Sequence, residues 1–176
     1  MFLISAGHHP YAKGASYGDF NEFDEAVIWQ RKIIEYLDGR GGFVPHGKLK
    51  NKVAFINSQE DVEVAVEIHF NAASDKNGNP VGKGSEVLIY PGSEEGAAVG
   101  KQVAMRLGLI YEPNRGVKDG WYRMNPDNGP DFFLSKTNCT ALIVEPEFVH
   151  NYEKIQEGRD AGCTMIAEAL LDYYGG

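Results

Sequence analysis

Three short polar clusters follow apolar runs, and their residue types are those that bind metals and move protons. Gly7-His8-His9 comes after residues 2–6, His69-Phe70-Asn71 closes the stretch 62–70, and Glu145-Pro146-Glu147 comes after 140–144. A further acid, Glu22, opens a helical pattern at the end of the loop that leaves the first run. In open α/β sheets, ligands gather outside the carboxyl ends of strands, where side chains from distant parts of the chain converge. Zinc takes imidazole nitrogen and carboxylate oxygen, and a catalytic zinc keeps one position open for water. His8, Glu22 and His69 therefore form a candidate metal set. Their separations, 14 and 47 residues, make no compact signature such as HExxH, and five histidines (His8, His9, His46, His69, His150) compete for the role, so spacing does not choose among them. Glu145 emerges from the core beside the same rim and suits acid–base work. Glu147, two residues on, shares its face if the chain stays extended.

Each residue also has an ordinary structural reading. His8 suits a hydrogen bond within a turn. His69 suits a satisfied ring at a buried strand end, where an uncompensated polar group is costly. Glu22 suits an exposed acid in a first helical turn, where the dipole favours negative charge.

The elements that must position these residues alternate between strand and helix. Residues 2–6 read as a buried strand. Asn21 caps a helix that runs through Leu37, with Phe23, Ala26, Val27, Ile34 and Leu37 on one face, and Gly39, Gly41 and Gly42 end it. Residues 43–44 are a weak strand, 48–57 a second helix, and 62–70 a strand rich in β-branched residues. A loop over 74–84 leads to a strand at 86–90. Ser93 then caps a helix to about Leu107, and 112–131 reads as irregular. The most hydrophobic strand is 140–144, and a last helix spans about 153–173. This alternation predicts an α/β layered fold with a central, mostly parallel twisted sheet flanked by helices on both faces.

Composition narrows the classes of function. A chain of 176 residues, 43% hydrophobic, suits one domain that buries roughly 70% of its unfolded surface. No apolar run approaches the roughly 20 residues of a membrane span, and no basic segment precedes residues 2–6, so neither membrane insertion nor a signal peptide is expected. Net charge −8 disfavours nucleic acid and anionic membranes as partners. Cys139 and Cys163, without CxxC spacing, read as buried thiols. The expected organisation is a single domain over 1–174, with 175–176 beginning a linker toward a separate domain.

The ordered fragments Ile4-Ser5-Ala6-Gly7-His8, Asn21-Glu22-Phe23, Glu67-Ile68-His69-Phe70-Asn71-Ala72, Gly84-Ser85-Glu86-Val87 and Leu142 through Asn151 resemble the zinc-dependent N-acetylmuramoyl-L-alanine amidases of the amidase-3 type, which include bacterial autolysins and phage endolysin domains. The resemblance spans nearly the whole chain. It implies one zinc ion per chain held by His8, Glu22 and His69, with Glu145 as general base and then general acid. The reaction implied is hydrolysis of the amide between N-acetylmuramic acid and L-alanine in peptidoglycan. This sequence departs from the family pattern at His9 and Glu147, where glycines are usual, and at Glu67, where serine is common. Alternation along a strand puts Glu67 on the face of His69, as a carboxylate behind that ligand.

Asn71, Arg115 and Trp121 are the expected substrate contacts. Arg115 would meet a stem-peptide carboxylate, and Trp121 would form a groove wall. The resemblance further implies a monomer acting at the bacterial cell wall. Without a signal peptide, an endolysin held in the host cytoplasm until holin-type release is favoured over a self-secreted autolysin. Two other readings remain open at this stage: a different zinc peptidase or amidohydrolase on the same scaffold, and a non-catalytic wall-binding module.

Overall fold

The computed structural model describes residues 1–175, so part of the expected linker start at 175–176 lies outside the described residues. Six strands form one sheet in the order β4 (Gly41–Phe43), β1 (Phe2–Ala6), β5 (Val64–Ile68), β8 (Thr140–Glu145), β6 (Ser85–Ile89) and β7 (Asn114–Asp119). The first four run parallel. β6 pairs antiparallel with β8 and parallel with β7, so one antiparallel seam divides the sheet. β2 (Ser16–Tyr17) and β3 (Phe20–Asn21) make a small hairpin in the loop after β1.

Helices cover both faces. On one face, α1 (Glu22–Tyr36), α3 (Glu94–Leu107) and α5 (Tyr152–Tyr174) bury Ala26, Trp29, Ile33, Val99, Val103, Ile166 and Leu170 against Phe2, Ile4, Val66, Val87 and Val144. On the other, α2 (Leu49–Asn57) and the short α4 (Phe132–Lys136) bury Val53, Ile56, Phe133 and Leu134 against Leu3, Ala65, Leu88 and Ile143. Strand alternation explains the division, since odd-numbered β1 and β5 residues meet α2 and α4 while even-numbered ones meet the three long helices. Among the described residues no helix is long and apolar enough to cross a membrane. Both cysteines are free thiols, Cys163 buried and Cys139 partly so.

The caps match their sequence signals. Asn21 accepts from the Asp24 N–H at 2.9 Å to start α1, and Ser93 accepts from the Gly96 N–H at 3.0 Å to start α3. The stretch expected to be irregular, 112–131, departs from its reading. It contains the edge strand β7 and two 3-10 turns, Tyr122–Met124 and Pro126–Asn128. β7 has the sequence Asn-Arg-Gly-Val-Lys-Asp, whose polar majority hides its period, and its register against β6 shifts between Ser85 and Val87. Gly41 and Gly42, expected only to end the first helix, go on to form β4.

α1 and α5 are joined by a buried acid and a close approach. Glu25 takes the Trp29 indole N–H at 3.0 Å and the Arg159 guanidinium at 2.6 and 2.9 Å. Gly162 lets Trp29 in, because a Cβ there would stand 2.5 Å from the indole and 2.9 Å from the Tyr111 ring. Overpacking of this kind costs about 1–3 kcal/mol. Gly162→Ala should therefore lower the unfolding free energy by about that amount in urea titrations. Gly47→Ala, where an added Cβ meets nothing within 4 Å, should leave it nearly unchanged.

Candidate metal centre

The carboxyl ends of β1 and β5 and the first turn of α1 meet at one rim of the sheet. One nitrogen from each of His8 and His69 and one Glu22 oxygen lie within 4.8 Å of one another. Glu22 Oε2 is 2.9 Å from His8 Nε2, and Oε1 is 2.8 Å from His69 Nδ1. Each oxygen also accepts one backbone N–H, Oε2 from Ala15 at 3.0 Å and Oε1 from Phe70 at 3.1 Å. Burial alone would raise the Glu22 pKa, but the hydrogen bonds and charges of the two rings hold it well below the usual carboxylate range.

Three backbone features make room for this cluster. His8 sits in the left-handed region at φ 60, a conformation costing a non-glycine residue roughly 1–2 kcal/mol. At Gly7, a Cβ would stand 2.7 Å from His69 Cε1. At Gly14, with φ +78, it would stand 2.5 Å from the His8 ring. His9 lines the cavity but stays outside the cluster, its Nδ1 accepting from the Tyr11 N–H at 3.3 Å, so the cluster uses the first of the paired histidines.

A second buried layer lies behind His69. Its Nε2 is 3.1 Å from Glu67 Oε2, so the ring is held between two carboxylates. Burial would depress the His69 pKa, yet Glu22 and Glu67 raise it well above the ordinary value. Glu67 Oε1 accepts from Ser5 Oγ at 3.0 Å and from Lys52 Nζ at 2.9 Å, and the same ammonium donates to the Ala6 carbonyl. Burial opposes ionisation of Glu67, but His69 and Lys52 bring its pKa down to about 2. One buried cation thus ties the strand end that carries His8 to the carboxylate behind His69.

Glu145 lines a cavity of about 480 Å³ that also takes in His8, Glu67, His69, Ile143 and Trp121. Its Oε2 is sealed from solvent with no hydrogen-bond partner, and burial pushes its pKa up to about 7. Glu86, its Cα neighbour across the antiparallel seam, is fully engaged by Asn71 Nδ2 at 2.6 Å, Arg115 Nε at 2.7 Å and Lys118 Nζ. Glu147 points elsewhere. Its Oε1 accepts from the Gly84 and Phe148 N–H groups at 2.8 Å and from Asn151 at 3.1 Å, and Lys154 pairs with Oε2 at 3.2 Å. The carboxylate in place of the usual glycine therefore pins the 71–84 loop and does not crowd the cavity.

The expected substrate contacts divide. Trp121 lines the cavity, whereas the side chains of Asn71 and Arg115 are spent on Glu86 and neither is in the lining. Sequence reading missed Lys52, Ser5 and Gly14. Lys52 had a signal, since it stands three residues after Leu49 and four before Ile56, on the helix face that must be buried. Ser5 and Glu67 had another, as polar residues in apolar strands that turn out to be Cα partners.

The family model described as N-acetylmuramoyl-L-alanine amidase matches residues 2–170. None of the curated proteins matches. Among solved structures, the chain is similar to Cwp6 from Clostridium difficile (TM-score 0.81, 20% identity), covering 98% of this chain but 29% of that one. It is also similar to the catalytic domain of the CD27L endolysin targeting Clostridia difficile (TM-score 0.74, 22% identity, 97% of this chain and 96% of that one). The amidase AmiC2 of Nostoc punctiforme gives TM-score 0.79 at 20% identity, with 100% and 98% covered. At these identities the structural likeness establishes the fold.

The unpartnered Glu145 makes stability depend on pH in a definite direction. The carboxyl titrates near 4.5 in the unfolded chain and near 7 in the folded one. Below 4.5 both states hold the proton and nothing is lost. Between 4.5 and 7 only the unfolded chain releases it, so folding weakens as pH rises. Above 7 the full penalty, on the order of 3 kcal/mol, is present. In metal-stripped protein, Glu145→Gln should exceed the wild type in stability by roughly that amount at pH 8 and match it near pH 4, as read by urea titration. A second expectation concerns Lys52. Lys52→Met takes the ammonium from buried Glu67, leaving it only His69 and Ser5, and should cost about 3 kcal/mol, whereas Lys52→Met/Glu67→Met removes both charges and should recover part of it.

Proposed function

Because the chain belongs to the N-acetylmuramoyl-L-alanine amidase family, we propose that His8, Glu22 and His69 hold one zinc ion and that Glu145 is the catalytic acid–base. The enzyme hydrolyses the amide that joins N-acetylmuramic acid to L-alanine in peptidoglycan. The observation that carries the metal reading is the Glu22 carboxylate bracketed by two imidazoles beside an orphaned buried carboxylate oxygen. Two imidazole nitrogens and a carboxylate oxygen are the donor types of a catalytic zinc site with one position open. When bound, the cation supplies Lewis acidity, polarising the scissile carbonyl and making water easier to ionise.

The chain's own residues do the rest. Glu67 accepts the His69 Nε2–H and leaves Nδ1 free on the side of Glu22, fixing tautomer and ring orientation. Lys52 and Ser5 hold Glu67 in that position. Glu145 takes a proton from the attacking water and passes it to the departing amine of L-alanine, a role worth roughly 10²–10⁴ in rate. Its raised pKa suits the acid step, and a nearby divalent charge favours the ionised form needed first. The partial burial of the cavity excludes bulk water from the proton transfer, and Trp121 forms part of the wall along which the substrate lies.

The proposed setting is the bacterial cell wall, with residues 1–174 as one monomeric catalytic domain in an endolysin. The CD27L catalytic domain, 97% of this chain and 96% of that one covered, is a domain of the same extent. Expression in a bacterium with and without a membrane-permeabilising holin tests it, with lysis expected only in the presence of both proteins.

Elemental analysis combined with turbidity loss of purified walls tests the chemistry. About one zinc per chain is expected in both wild type and Glu145→Ala, with new amino termini of L-alanine and no new reducing sugar ends from the wild type. The variant should lose at least 100-fold in rate. Chelation should silence the wild type and added zinc restore it. Lysis surviving in Glu145→Ala removes the acid–base assignment, and full activity after chelation removes the metal.

A further inference from the structure

The lining of the cavity over the candidate metal centre mixes acids with cations, and two of the cations pair with no acid among the described residues. Three cations line the cavity: Lys48, the N-cap of α2, Lys52, and Arg123 from the segment between β7 and α4. Lys52 is spent on Glu67 and the Ala6 carbonyl. Among the described residues, neither Lys48 nor Arg123 has an acidic side chain within ion-pair distance. Both side chains are exposed, as are other unpaired cations of this chain; what sets these two apart is their place in the lining of the cavity. Of the acids that line the cavity, Glu145 is the candidate acid–base, Glu67 is paired with Lys52, and Asp131 caps α4, accepting from the Phe133 N–H at 2.8 Å.

The backbone that presents Arg123 is strained and held. Arg123 and Met124 both lie in the left-handed region, at φ 54 and 53, each costing a non-glycine residue roughly 1–2 kcal/mol. The segment is stitched so that the strain persists. The Tyr122 N–H donates to the Gly129 carbonyl at 2.8 Å, the Met124 N–H to the Trp121 carbonyl at 2.7 Å, and Trp121 bridges to Pro130. The guanidinium lies 5.3 Å from the Tyr122 ring centroid, a cation–π contact that steadies the side chain without using its N–H fork. Strained backbone of this kind gathers where a site must be pre-organised. The lining also includes the apolar side chains of Trp121, Met124, Leu88 and Ile143. Apolar side chains and one free guanidinium in the same lining fit a peptide whose small side chain is followed closely by a carboxylate.

We propose that Arg123, aided by Lys48, binds a carboxylate of the stem peptide on the residue that follows the scissile L-alanine, so that the enzyme favours stems with that acid free over stems with it amidated. This rests on the amidase reading above and assigns to Arg123 the contact that the sequence placed on Arg115, whose guanidinium is committed to Glu86. An arginine fork matches a carboxylate with two parallel N–H bonds, which lysine does not reproduce.

Steady-state kinetics on two soluble N-acetylmuramoyl peptides test it, one with a free carboxylate on the residue after L-alanine and one with that group as a carboxamide. Wild type should show the lower KM on the acid. Arg123→Gln should raise KM on the acid about tenfold with kcat little changed, equivalent to about 1.4 kcal/mol, and should leave the amide nearly unaffected. Arg123→Lys should recover part of the loss, and Lys48→Gln should show a smaller effect of the same kind. Calorimetric binding of the released peptides gives the same comparison without turnover, and should show a tenfold weaker Kd for the acidic product in Arg123→Gln. Equal KM and Kd for wild type and Arg123→Gln on the acid, or equal losses on acid and amide, overturn the proposal. A wild type that cleaves neither the peptides nor intact walls overturns the amidase reading instead.

Discussion

A single buried carboxylate sets the terms for the rest of the molecule. Glu22 has lost its water, and an isolated ionised acid in that position would be far too costly to keep. It survives as an anion because each oxygen is met by one backbone N–H and one imidazole. Those four contacts come from three stretches of chain, around His8, Ala15 and His69–Phe70, and the loop after β1 has accommodated the acid locally. Gly7 and Gly14 carry no side chain where one would collide, and His8 accepts a backbone conformation that its own Cβ disfavours. The arrangement is demanding in the manner of a metal site, where donors must converge before the ion arrives.

The layered sheet supplies the convergence. β1, β5 and β8 are adjacent and parallel, so their carboxyl ends open on one rim and deliver His8, His69 and Glu145 from positions far apart in sequence. The reversal at β6 adds something a wholly parallel sheet would lack. It places Glu86 directly beside Glu145, and the cations of β7 then absorb the charge of Glu86. Of two neighbouring acids, one is tied up and the other is left free to exchange a proton. α2 plays the corresponding part on the far side of His69, where Lys52 neutralises Glu67.

Much of this could be read from the sequence, because the signals were local. The caps at Asn21 and Ser93, the apolar runs of β1, β5 and β8, and the polar residues just beyond their ends all follow from periodicity and side-chain chemistry. The strand β7 could not be read that way, because its residues are mostly polar and its pairing depends on a neighbour distant in sequence. The family resemblance pointed to His8, Glu22, His69 and Glu145, yet it said nothing of Lys52, which becomes meaningful only beside the glutamate at position 67. Arg115 shows the same limit in reverse. Its type and neighbourhood fitted substrate contact, and only the sheet pairing shows that Glu86 claims it first.

The two margins of the sheet have a consequence for life at high local concentration. One margin, β4, is three residues long and begins with two glycines, and the other, β7, is broken by a register shift and turns Arg115 and Lys118 inward to a buried acid. Neither offers the long, flat, uniformly spaced row of amide and carbonyl groups on which a neighbouring molecule could lay down a strand. These blunted borders work against edge-to-edge pairing between copies of the chain wherever they crowd together.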